Sequence, residues 1–117
     1  MQILYALVAR QVNVLAEHQT PGVPYDLPVA VRLVLQRLPP EDKRHILEFD
    51  KTFKFVAIVE DGITFLCLSI KDAEMRRVFG FLEDVKKTVS YTFELMRNVA
   101  KKFYLLLLLI LEVHAEV

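Results

Sequence analysis

Three histidines and one cysteine are the residues of this chain that could bind a metal ion or act as a nucleophile. His18, His45 and His114 lie far apart in the sequence and lack the short spacings of metal ligands. We expect His18, at the end of a strand, and His45, in a charged connector, to be solvated surface residues. Cys67 lies inside the most apolar predicted strand, whereas a reactive thiol needs an exposed, electropositive site. We therefore predict no metal site and a Cys67 that is buried and inert.

Adjacent carboxylates are the other groups that could do chemistry, as a general acid and base. Glu60-Asp61 belongs to a turn signal, and Glu83-Asp84 falls on a predicted helix, where consecutive residues do not face each other. The three glycines form no cluster of the kind that cradles a phosphate. We therefore predict a protein without enzymatic activity and without a cofactor.

Composition narrows the class of protein further. The length of 117 residues predicts one domain, and the hydrophobic fraction of 54% predicts a substantial core. Fifteen basic and fifteen acidic residues give a net charge of zero, which argues against a nucleic-acid partner because such proteins usually carry a basic excess. A single cysteine excludes an internal disulfide and favours a reducing compartment. Met1-Gln2 provides no basic segment before the first apolar residues, so we expect no leader peptide and a cytosolic protein.

Hydrophobic periodicity divides the chain into five strands and two helices. The polar break at Arg10-Gln11 and the Asp61-Gly62 turn signal predict tight antiparallel hairpins. Asp26 is a candidate N-cap for the first helix, which Pro39-Pro40 ends. The predicted elements are, in order, strands at 3–9 and 12–17, a helix at 27–38, strands at 46–49, 53–59 and 63–70, and a long helix opened by Lys71-Asp72.

The order β-β-α-β-β-β-α predicts an α+β fold built on a five-stranded antiparallel sheet. Residues 63–70 are nearly all apolar, so we place this strand in the middle of the sheet. The helices lie either on opposite faces or together on one face, and the pattern does not choose between these arrangements.

The C-terminal tail contains nine consecutive apolar residues, FYLLLLLIL, at 103–111. A membrane-spanning helix needs about 20, so we predict no transmembrane span. The favoured interpretation is that the tail continues the last helix or is buried in the fold. The alternative is an exposed surface that recruits a partner, a second copy of the chain or a lipid interface. The interface residues would then be Phe103, Leu106, Leu107 and Ile110. We divide the chain into a domain at 1–102 and a tail at 103–117.

Three blocks of sequence carry a resemblance to a known family. They are ILYALVAR at 3–10 with VLAE at 14–17, DGITFLCL at 61–68, and RRVFGFLEDVKK at 76–87. In this order and spacing they resemble the longin domain of the long vesicle-type SNAREs, the synaptobrevin-like family of endosomal and vacuolar membranes. The resemblance covers about residues 1–93 and implies a longin/profilin-like fold, in agreement with the predicted order of elements.

The sequence departs from that family in one respect that matters for function. The family carries a SNARE motif, a coiled-coil segment with a central arginine, followed by a tail anchor, and this sequence contains neither. We therefore expect a domain that is not itself fusogenic. It is either the regulatory domain alone, a truncated or alternatively spliced form, or a separate longin-like adaptor.

The resemblance also implies a binding site. Longin domains hold a SNARE segment or an adaptor peptide in a groove between the first helix and the third strand. Carried over by position, Leu47 and Phe49 are the strand residues of this groove, and Leu35 and Leu38 form its helical wall. The competing interpretation is that these four residues are ordinary core, because short strands in any sheet carry alternating apolar residues.

We therefore predict a regulatory or sorting domain in SNARE-dependent vesicle trafficking, which acts by protein contacts at the cytosolic face of endosomal or vacuolar membranes. The alternative is a longin-like scaffold subunit that forms a homo-oligomer through its tail, or assembles into a tethering or coat complex.

Overall fold

The structure, a computed structural model, describes residues 3–21 and 26–95, with the backbone alone over 91–95. The predicted order of elements is confirmed. The elements are β1 (Ile3–Arg10), β2 (Asn13–Gln19), α1 (Leu27–Arg37), β3 (Lys43–Glu48), β4 (Phe53–Glu60), β5 (Ile63–Ile70) and α2 (Met75–Leu95). The predicted tail at 103–117, with Phe103, Leu106, Leu107 and Ile110, lies outside the described residues, as does His114.

The five strands form one antiparallel sheet in the order β2-β1-β5-β4-β3. The central position predicted for β5 is confirmed, since β1 and β4 flank it. These three strands are buried along most of their length, whereas β2 and β3 are edge strands that alternate between covered and exposed side chains. The apolar runs in the sequence therefore correspond to strands covered on both faces.

The two helices lie on opposite faces of the sheet, which the sequence left undecided. On one face, α1 packs Leu27, Val31 and Leu35 against the central strands. On the other, α2 packs residues that include Phe81 and Leu82 against them. The physical reason is that strands apolar on both faces need a cover on each, and two helices on one face would leave the other face in water.

Both hairpin turns use residues with a left-handed backbone. Asp61 and Gly62 have φ of 52° and 77°, as the Asp-Gly signal predicts for a tight turn. In the first hairpin the turn is formed by Gln11 and Val12, one residue later than the predicted break, because Arg10 still pairs with Asn13. The backbone N–H of Gln11 donates to the carbonyl oxygen of Gly62 at 3.3 Å, which joins the two turns.

Two predicted boundaries were wrong by three residues or more. Strand β3 begins at Lys43 instead of residue 46, because its first residues pair with β4 while their charged side chains stay in water. Helix α2 begins at Met75 instead of at Lys71. The backbone N–H of Lys71 donates to Thr52 at 2.7 Å and that of Ala73 to Ile70 at 3.0 Å, so this segment still belongs to the end of β5.

One ion pair attaches α2 to the edge strand β3 and another attaches it to β4. The Arg44 guanidinium lies 3.5 Å from a Glu83 carboxylate oxygen and 4.6 Å from the centre of the Phe79 ring. The Lys86 Nζ atom lies 3.1 Å from a carboxylate oxygen of Glu83 and 3.1 Å from one of Glu60. The hydrogen bond from Lys86 lowers the pKa of Glu83, and the same contact raises the pKa of Lys86. Strand β3 is thereby held to α2 on the side opposite α1.

Gly62 and Gly80, the two glycines that the structure describes, provide a matched test of backbone conformation. Gly80 lies within α2, and a methyl group there would meet nothing within 4 Å. We expect Gly80→Ala to raise the free energy of unfolding by about 0.8 kcal/mol, because alanine is the better helix former. Gly62 also has open space, but its φ is 77°. Gly62→Ala should lower stability by about 1–2 kcal/mol, since a Cβ is strained there.

Urea unfolding of the two variants and the native protein measures both effects. Equal shifts in the same direction would contradict the backbone explanation, because both sites have the same free space around them.

Candidate partner-binding groove between helix α1 and strand β3

The residues that could bind a metal ion or act in catalysis are dispersed over the fold. Cys67 is fully buried in β5, as predicted, and burial raises the pKa of its thiol. His18 is half-buried on β2. Within residues 3–21 and 26–95, no group of three or more histidine, cysteine or acidic side chains lies close enough to hold a metal ion. Glu83 is occupied by its ion pairs with Arg44 and Lys86. The apolar residues predicted for the groove are the remaining candidate site.

The register of β3 determines which of its side chains lie on the α1 side. His45 pairs with Ala57 and Leu47 with Phe55, and both partners belong to the cluster that α1 covers. Ile46 pairs with Val56, which belongs to the cluster under α2. Since successive side chains of a strand point to opposite faces, His45 and Leu47 lie on the α1 side and Ile46 on the α2 side.

The four residues predicted for the groove all contact one apolar cluster. Leu35 is 5% exposed and belongs to the core, whereas Leu38, Leu47 and Phe49 are half-buried at the margin of the same cluster. The Phe49 ring packs edge-on against Phe55, with ring centres 5.2 Å apart. The structure therefore brings the four residues together, and their contact with a partner stays a prediction.

A pocket of about 170 Å³ lies at the C-terminal end of α1. Leu35, Leu38, Pro39, Val12 and Val59 contribute to its wall. Sites for cofactors and other small molecules usually measure about 300–1,000 Å³, so this pocket suits the side chain of a peptide better.

Two short connections position the walls of the groove. The helix ends at Arg37. Its C-cap residue Leu38 has an extended backbone ahead of Pro39, and the backbone N–H of Leu38 donates to the Val34 carbonyl oxygen at 3.0 Å. The following connector is held by Asp42, whose carboxylate accepts from the backbone N–H of Asp61 at 3.0 Å. At the far end of β3, the Asp50 carboxylate accepts from the backbone N–H groups of Thr52 and Phe53 at 2.7 and 2.8 Å.

The pocket lies at one end of the surface predicted for the groove, and the other predicted residues follow along the α1 side of β3. Val59 lines the pocket and pairs with Lys43, and the next position of β4 on this face is Ala57, which pairs with His45. Leu47 and Phe49 follow along β3. Within the described sheet, β4 is the single neighbour of β3, so the outer backbone of this strand forms the rim of the groove.

His45 is the groove residue that the sequence reasoning missed. We expected a solvated histidine in a charged connector, but His45 lies within β3, half-buried on the α1 side. Its Nε2 atom is buried and has no hydrogen-bond partner among the described residues. Burial and the nearby Lys43 lower the pKa of His45, while Glu41 opposes this shift. The alternation of Lys43, His45, Leu47 and Phe49 was the signal that could have revealed it.

None of the helices that the structure describes is long and apolar enough to cross a membrane.

Comparison with known proteins identifies a family and several relatives. The family model for Longin, a regulated-SNARE-like domain, matches residues 15–103. The chain is 34% identical to vesicle-associated membrane protein 712 of Arabidopsis thaliana over 93 residues, which cover 80% of the chain and 42% of that protein. It is 36% identical to vesicle-associated membrane protein 7 of Rattus norvegicus over 93 residues, covering 80% of the chain and 41% of the relative.

Vesicle-associated membrane protein 7B of Dictyostelium discoideum is 35% identical over 86 residues, covering 74% of the chain and 32% of that protein. The chain thus spans about a third to two fifths of the length of these relatives.

The lowered pKa of His45 predicts how stability depends on pH. The folded protein favours the neutral imidazole more than the unfolded chain does, whose histidine has a pKa of about 6.5. This contribution is complete above that pKa and is lost as the pH falls below it. As the pH is lowered from 7.5 to 5.5, we expect the free energy of unfolding to fall more for the native protein than for the His45→Leu variant.

Urea unfolding at each pH compares the two proteins, and the other histidines, identical in both, cancel in the difference. If the free energy of unfolding of the two proteins changed with pH in parallel, His45 would not be held neutral by burial. Glu83 and Lys86, whose ordinary pKa values are 4.5 and 10.5, are shifted away from this range and do not contribute.

Proposed function

Because the chain belongs to the Longin family of regulated-SNARE-like domains, we propose that it regulates SNARE-dependent vesicle trafficking by holding a peptide segment in the groove between α1 and β3. The observation that supports this proposal most directly is that Leu38, Leu47 and Phe49 are half-buried at the margin of one apolar cluster, with Leu38 also lining a pocket. The occupant is a SNARE segment or a trafficking-adaptor peptide.

The physical basis of binding is the apolar surface of the groove that stays partly exposed to solvent. An occupant that covers Leu38 and Leu47 removes this area from water, at about 25 cal/mol per Å². The edge of β3 adds main-chain hydrogen bonds if the occupant is extended alongside it. Leu35 supports the pocket from the core side, since it is almost fully buried.

The proposed role needs no catalytic group. The domain acts by protein contacts at the cytosolic face of endosomal or vacuolar membranes, and it controls whether a SNARE segment is available for assembly. The relatives, named vesicle-associated membrane proteins, extend well beyond the region that this chain matches, and that further region is a source of candidate segments.

A pair of substitutions on the same strand tests the groove. Leu47→Ser changes its α1 side, and Ile46→Ser changes a residue that is 53% exposed on the opposite side. The probe is the part of the rat relative that this chain does not match, without the membrane anchor typical of the family. We expect Leu47→Ser to weaken binding of this probe at least tenfold and Ile46→Ser to leave it within twofold.

Isothermal titration calorimetry measures both dissociation constants, and circular dichroism checks that both variants are folded. If both variants, or Ile46→Ser alone, lose affinity for the probe, the binding site is not confined to the α1 side of β3. A native domain that does not bind the probe would exclude this class of occupant.

A further inference from the structure

The outer face of α1 carries apolar side chains that the core does not use. The buried stripe of this helix consists of Leu27, Val31 and Leu35. Val29 and Leu33, in contrast, are 55% and 50% exposed. Because they are four positions apart, they lie one above the other on the side of the helix that faces away from the buried stripe. They form a short apolar ridge in contact with solvent.

Two arginines flank this ridge. In a helix of about 3.6 residues per turn, Arg32 falls on one side of the line through Val29 and Leu33, and Arg37 falls on the other side. Both arginines are exposed. Within residues 3–21 and 26–95, neither of them forms an ion pair. The outer face of α1 therefore presents two positive charges beside exposed apolar surface.

Acidic residues near α1 lie toward its two ends. The helix itself, residues 27–37, contains none. Asp26 precedes the helix, and Glu17 lines a pocket together with Pro28 at its N-terminal end. Glu41 follows the two prolines after the helix. The whole chain has a net charge of zero, so the positive character of the ridge comes from the arrangement of its charges.

The shape of this face limits the kind of partner. Of the two pockets described beside α1, one is lined by Pro28 near its start and the other by Gln36 near its end. Val29 and Leu33 line neither of them and lie on the convex side of the helix between them. A peptide that anchors by its side chains needs a groove or pockets. The interface of a lipid bilayer accepts a convex ridge, because apolar side chains enter the boundary between headgroups and acyl chains.

We propose that α1 docks the domain on an anionic membrane surface. Val29 and Leu33 enter the headgroup region, where their exposed area is removed from water. Arg32 and Arg37 lie against the negatively charged headgroups, which attract basic side chains at the cytoplasmic leaflet. This contact uses the side of α1 that faces away from Leu35, so it goes beyond the proposed function and needs no peptide in the groove.

Two pairs of arginine substitutions test the charge. Arg32→Gln with Arg37→Gln removes two positive charges from α1, and Arg76→Gln with Arg77→Gln removes the same charge from exposed positions of α2 on the other face of the sheet. The probe is a vesicle of equal parts phosphatidylcholine and phosphatidylserine. We expect the α1 pair to weaken partitioning about 25-fold, at about fivefold per arginine, and the α2 pair to change it less than about twofold. The full chain is used throughout, so that residues 103–117 are the same in every protein compared.

A second matched pair tests insertion of the ridge. Leu33→Ser and Ile46→Ser change residues that are 50% and 53% exposed on opposite faces of the protein. We expect Leu33→Ser to weaken partitioning about fivefold, because a half-exposed leucine no longer leaves water on docking. Ile46→Ser should change it less than about twofold. Vesicle cosedimentation measures partitioning, and circular dichroism checks that each variant is folded.

Three results would overturn the proposal. Equal effects of the two arginine pairs would show adsorption governed by total charge, without a docking face. Native protein that binds vesicles of phosphatidylcholine alone as strongly would show that anionic headgroups do not attract it. If Leu33→Ser has no effect while soluble polyglutamate binds the native protein through Arg32 and Arg37, the partner of this face is an acidic peptide and not a membrane.

Discussion

Three strands, β1, β5 and β4, carry apolar side chains on both of their faces, and the remaining architecture follows from covering them. The edge strands β2 and β3 cannot cover these side chains, because a strand pairs beside its neighbour and does not lie over its face. One helix on each face is the arrangement that removes both sets of side chains from water. The hydrogen bond between the two hairpin turns then joins the ends of β1 and β5.

Strand β3 lies at the boundary of this core and has two unlike faces. On one face, Arg44 and Glu48 form ion pairs with Glu83 and Lys71, which join it to α2 and to the segment before α2. On the other face, Leu35 of α1 and its C-cap residue Leu38 pack on the sheet, but Leu47 and Phe49 stay only half covered. Exposed ion pairs contribute little to stability individually, but these hold the side chains of Arg44 and Glu48 on the α2 side of the strand. Leu47 and Phe49 remain partly exposed on the α1 side.

In the proposed function, the groove between α1 and β3 joins the fold to a role in trafficking. A longin domain needs no catalytic group to act, because occupying a segment changes what that segment can bind.

The order of elements, the Asp61-Gly62 turn, the central β5 and the apolar stripe of α1 were determined by the sequence itself, because each depends on local periodicity or on the backbone preference of one or two residues. The faces chosen by the helices, the start of β3 and the position of His45 were decided only by the tertiary structure. Lys43, Arg44 and His45 have no local preference for a strand. They adopt one because β4 offers backbone partners at its edge, and this pairing shows in the sequence only as a weak alternation of Lys43 and His45 with Leu47 and Phe49.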